Sequence, residues 1–124
     1  MKTVLLSIKP EFAEKIFDGT KKFEFRKSIF KNDDVQKVVV YASSPVQKVI
    51  GEFSIEDILN DDIDTIWKKT SRHSGITHDF YLSYFANKEK AYAIKIGKTK
   101  RYHQYRNLSD YNLNFAPQSF AYIR

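Results

Sequence analysis

The chain has 124 residues, no cysteine, 42% hydrophobic and 15% aromatic residues, and a formal net charge of +6. A packed core is expected from this composition, while a disulfide framework, cysteine-based zinc sites and compositional disorder are excluded. No apolar run reaches the roughly 20 residues of a membrane span, and Lys9-Pro10 interrupts the N-terminus too soon for a signal peptide, so a membrane-free, cytoplasmic protein is expected.

Val4, Leu5, Leu6 and Ile8 predict a strand over Lys2–Ile8. Pro10 suits the first turn of a helix, Phe12, Ala13, Ile16 and Phe17 recur at helical spacing, and Gly19 is a natural stop. From Lys21 the sequence alternates, placing Lys21, Phe23 and Phe25 on one strand face and Lys22, Glu24 and Arg26 on the other. Lys21, Glu24 and Arg26 are then either a ligand-binding trio or a solvated strand face.

A turn is expected at Asn32-Asp33-Asp34, followed by a strand over 38–42, apolar throughout and so buried on both faces. Ser43, Ser44 and Pro45 break that strand. Their hydroxyls and backbone N–H groups can face a cleft, or serve as ordinary turn chemistry. A strand over 48–58 follows, with Gly51 marking a bulge or a close backbone approach.

A helix is predicted over 61–70, capped by Asp61 or Asp62, and a second from Thr77 to about Asn87. Between them lies the loop Ser71-Arg72-His73-Ser74-Gly75, where a loop histidine is favoured over a nucleophile–base pair. Trp67, Phe80, Tyr84 and Phe85 sit at helical spacing and are assigned to the core. A strand is expected over 90–98 and carries Tyr92 as a base-stacking candidate. Beyond it Lys98, Lys100, Arg101, Tyr102 and Arg106 form a basic-aromatic run, either a nucleic-acid surface or a solvated hairpin. A turn at 109–111 and a last strand over 119–123 complete the chain as one α+β domain of residues 1–124. His73, His78 and His103 lack ligand spacing, so no metal and no cofactor are assigned. The pI of about 9.4 suits a polyanion such as RNA, or is charge carried for solubility.

Gly19-Thr20-Lys21-Lys22-Phe23-Glu24-Phe25-Arg26 resembles the G-x-K-x-x-E-x-R signature of the ASCH domain, a branch of the PUA-like superfamily. The surroundings resemble it too: the strand and Pro10-led helix before the motif, Ala42-Ser43-Ser44-Pro45-Val46 and Gly51-Glu52-Phe53 after it, and Ala116-Pro117-Gln118-Ser119-Phe120 near the end. The resemblance implies a small mixed β-barrel with flanking helices and a cleft beside the helix that leads into the motif strand. It also implies binding of RNA, nucleotides or modified nucleosides. Related enzymes are N4-acetylcytidine amidohydrolases, which use a lysine, a threonine and a glutamate, and a ribonuclease. By position Lys21 matches that lysine, Glu24 replaces the threonine and Ser74 stands near the glutamate, a departure that favours recognition over deacylation.

The site expected from this reading comprises Lys21, Glu24, Arg26, Ser43, Ser44, Pro45, Ser74 and Gly75. Lys27, Tyr92, Lys98, Lys100, Arg101, Tyr102 and Arg106 form the expected nucleic-acid surface. Were the protein an enzyme, Lys21 and Glu24 would be catalytic.

Overall fold

The structure, a computed structural model, describes residues 2–123. Strand β1 (Lys2–Ile8) is followed by helix α1 (Pro10–Asp18), which has Pro10 in its first turn and closes on Gly19 in the left-handed conformation. Strand β2 (Phe23–Arg26) carries the motif, and β3 (Val35–Ala42) runs parallel to β1. Strands β4 (Lys48–Asp62) and β5 (Lys90–Arg106) form a long antiparallel pair with α2 (Ile63–Thr70) and α3 (His78–Tyr84) between them in sequence. Strand β6 (Phe120–Ile123) returns antiparallel to β1.

These strands make one six-stranded sheet in the order β2-β5-β4-β3-β1-β6, so the fold is α+β but the expected closed barrel does not form. Both edge strands have four residues. No backbone ladder joins them; instead Arg26 of β2 reaches across and donates from Nη2 to the Ser119 carbonyl beside β6 at 2.8 Å. Register shifts in β4 at 49/51, 53/55 and 55/57 supply the bulges that curl a sheet and bring its edges towards each other. The site sits at this open seam.

Both sheet faces are covered, as the unbroken apolar run of β3 requires. Val38 and Val40 pack with Val4, Leu6, Ala13 and Ile16, while Val39 and Tyr41 pack with Leu5, Val49 and Tyr102. A further cluster joins Phe23 and Phe25 of β2 to Ile66, Tyr81 and Phe85.

Two boundaries differ from expectation. The β4 strand runs on to Asp62, which then caps α2 by accepting from the Thr65 N–H. The strand expected over 90–98 runs on to Arg106, and the basic run is no separate hairpin: Thr99, Lys100 and Arg101 pair with Phe53, Glu52 and Gly51, and the Lys98 N–H donates to Ser54 Oγ. An available partner strand outweighs low β-propensity.

Candidate functional site

The chain leaving α1 is pinned before it becomes β2. The Lys21 N–H donates to the Lys15 carbonyl at 3.0 Å, and the Lys22 N–H to the His73 carbonyl at 2.8 Å. Strand β2 therefore begins at Phe23, and Lys21 lies just before it, on the side of Phe25. Its side chain is 2% exposed, its Nζ donates to the Ser74 carbonyl at 2.7 Å, and its ammonium lies 4.8 Å from the centroid of the Phe25 ring. Burial pushes the amine down to about 8, against the opposing pull of the Glu24 carboxylate.

Glu24 and Arg26 are also buried and face each other, with Arg26 Nη1 3.3 Å from Glu24 Oε2. All three charged groups line one cavity of about 240 Å³. Its walls come from the sheet seam (Ser7, Ile8, Gln118) and from rings of the two flanking helices (Phe12, Phe80, Tyr84). Phe80 and Tyr84 stand nearly parallel, at 8° with centroids 6.5 Å apart. Lys9 covers the Phe80 ring and Lys27 the Tyr84 ring. Burial pushes the Tyr84 hydroxyl up, and Arg26 and Glu24 act on it in opposite senses.

Ser74 and Gly75 are brought to Lys21 as the sequence suggests. Gly75 has φ +69, and a Cβ there would lie 2.6 to 2.9 Å from the Lys21 stem. Gly75→Ala is therefore expected to cost about 2 kcal/mol, read as a melting temperature lower by roughly 5–10 °C. An unchanged melting temperature would mean that this contact does not hold Lys21 in place.

Other candidates fall elsewhere. Ser43, Ser44 and Pro45 form the β3–β4 turn and are not on the cavity lining. Tyr102 is core: 5% exposed, it donates its hydroxyl to Glu52 and cannot present a face to a base. Burial pushes that hydroxyl far up. Arg106 stacks on Tyr102 and donates to the Tyr111 hydroxyl, while Arg101 is held by Glu14 and Tyr105. Lys98 and Lys100 are exposed, and Tyr92 is half-buried on β5 opposite Arg26.

The residues missed from sequence are the rings. On α3 two pairs at i, i+4 share adjacent faces: Tyr81 and Phe85 enter the core, whereas Phe80 and Tyr84 line the cavity. That split in spacing was the available signal. Among the described residues, no group of three or more His, Asp or Glu is placed to hold a metal.

Residues 6–100 match the ASCH domain. The chain is 33% identical to the ASCH domain-containing ribonuclease of Zymomonas mobilis over 99% of its own length and 85% of that protein's. A crystal structure of ASCH from Zymomonas mobilis superposes with a TM-score of 0.90 at 32% identity, covering 99% of this chain and 88% of that one. The chain is also 34% identical to a large ribosomal subunit protein uL22 of Ureaplasma parvum over 98% of its length, and spans 39% of that relative.

Proposed function

Because this chain belongs to the ASCH domain family, we propose that it is a cytoplasmic RNA- or nucleotide-binding domain related to the PUA-like barrels, whose cavity holds one unstacked base. One observation carries the reading: Lys21, Glu24 and Arg26 are buried together in a single ring-walled cavity. Buried charges are expensive and add little to stability, so their persistence points to a ligand. The cavity's 240 Å³ is small beside drug-sized sites and suits one base with part of its sugar. Single-stranded RNA is read in this way, by stacking unstacked bases on rings and bonding their edges. Glu24 accepts from an exocyclic amine, as carboxylates do from cytosine, while Lys21 and Arg26 meet carbonyl or phosphate oxygens.

A second reading rests on the Zymomonas relative, which is named a ribonuclease. Here Glu24 takes the proton of a ribose 2′-hydroxyl, whose oxygen bonds to the adjacent phosphorus as the bond to the 5′-oxygen breaks; that oxygen leaves with a proton from water, and the Lys21 ammonium stabilises charge developing at the phosphate. The same two groups could serve hydrolysis of an acylated nucleoside such as N4-acetylcytidine, with Glu24 activating water.

Short single-stranded RNAs rich in cytosine or in uracil separate these readings. Recognition predicts tighter binding of the cytosine-rich strand, a preference cut about tenfold by Glu24→Gln, with the RNA recovered intact. Strand scission, or deacylation of acetylcytidine, that disappears in Glu24→Gln establishes the enzyme instead. A wild-type protein that binds no RNA or nucleoside contradicts both.

A further inference from the structure

Lys22 stands one residue beyond Lys21 and opens onto a different space. It lines a second and larger cavity, of about 780 Å³, together with Lys68, Lys69, Arg72, Lys95 and Lys98. These cations converge from three places: the lead-in to β2, the end of α2 with the 3-10 turn that follows it, and β5. All of them are exposed.

Compensation is partial. Glu56, the carboxylate on this lining, pairs with Lys95 at 3.3 Å, and Lys68 pairs with Asp64 at 3.1 Å on exposed helix surface. Among the described residues, Lys22, Lys69, Arg72 and Lys98 enter no ion pair. Like charges gathered in one groove repel one another and focus a positive potential that a polyanion relieves. The lining includes Phe23, itself buried, and nothing resembling the Phe80–Tyr84 pair. The groove therefore offers charge with little surface for stacking, the converse of the ring-walled cavity.

The loop of residues 71–75 links the two spaces: Ser71, Arg72 and His73 line the groove, and Ser74 holds Lys21 of the cavity. Its Ser74 carbonyl accepts from Lys21 Nζ on the cavity side, and its His73 carbonyl accepts from the Lys22 N–H at the groove. We propose that the groove is a phosphate track, gripping the backbone of the single-stranded RNA whose base occupies the cavity. This rests on the base-binding reading above and adds a division of labour: the groove sets affinity and its salt dependence, and the cavity sets base preference.

The salt dependence of RNA affinity tests this in a Lys69→Ala/Arg72→Ala/Lys98→Ala variant, in which every changed side chain is exposed and lies outside the cavity. Single strands contribute roughly 0.7 to the log–log slope for each phosphate neutralised, so the variant is expected to lose about 2 from its slope. Its affinity near physiological salt should fall about tenfold or more, with the cytosine-to-uracil preference unchanged. Glu24→Gln should do the reverse, reducing the preference while keeping the slope. A triple variant with the wild-type slope overturns the track and leaves the cavity reading intact. Wild-type protein that binds no RNA overturns both, and retention of poly-glutamate in place of RNA assigns the groove to an acidic protein instead.

Discussion

Lys21→Met is expected to leave the fold as stable as the wild type, or more so, while lowering RNA affinity by one to two orders of magnitude. Methionine keeps an unbranched stem against Gly75, Phe12 and Phe25, and it removes a charge that burial disfavours. It also leaves the Ser74 carbonyl without its donor, a loss of about 1 kcal/mol that removal of the buried ammonium offsets. The pH dependence carries the sign. With the amine lowered from 10.5 to about 8 by burial, the unfolded chain binds a proton that the folded chain does not across that interval. Wild-type stability should therefore rise by about 3 kcal/mol as pH climbs from 8 to 10.5, with the full penalty standing below 8. In Lys21→Met that rise should vanish. A variant that loses several kcal/mol at neutral pH, or keeps the alkaline rise, would show that Lys21 is structural and that another group titrates.

Arg26→Ala should have the largest effect on stability. The guanidinium bonds Glu24 on its own strand and the Ser119 carbonyl on the opposite edge of the sheet. Truncation strands the Glu24 carboxylate, whose side chain is 9% exposed, and opens the seam. Losing one partner of a buried pair costs about 3–5 kcal/mol, which lowers the melting temperature of a domain this size by roughly 10–20 °C. Adding Glu24→Gln removes the stranded charge and should restore at least half of the loss. Hydrogen exchange should locate the damage, with the amides of β6 losing protection before those of β3. Uniform loss of protection, or no rescue by the second substitution, would contradict the account of Arg26 as a tie across the seam.

Local chemistry made much of this legible in the sequence. Pro10 and Gly19 bracket α1, Asp62 caps α2, Thr77 caps α3, and the apolar run of β3 is buried on both faces. Lys21, Glu24 and Arg26 could be named because the motif fixes them, and Ser74 and Gly75 do meet Lys21. What failed depended on partners distant in sequence. The run after Gly97 became strand because β4 offered a ladder, which turned Tyr102 inward and tied Arg101 to Glu14 of α1. Phe80 and Tyr84 were assigned to the core because spacing identifies a ring-bearing helix, not which of two adjacent faces looks into a cavity. Gln118 and Ser119 joined the site only through the return of β6 to β1, a pairing no local pattern announces. The barrel was what the family resemblance implied; its edges, two four-residue strands, are tied by one arginine and not by a backbone ladder.

The most direct test of the cavity as a base-binding site is a nuclear magnetic resonance titration with cytidine monophosphate, set against uridine monophosphate. The account predicts that cytidine monophosphate shifts the ring signals of Phe12, Phe80 and Tyr84 together with the Glu24 and Arg26 amides, that uridine monophosphate does so more weakly, and that Glu24→Gln erases the difference. Shifts confined to the Lys68–Arg72 side of the molecule, or cavity signals that never move, would contradict it.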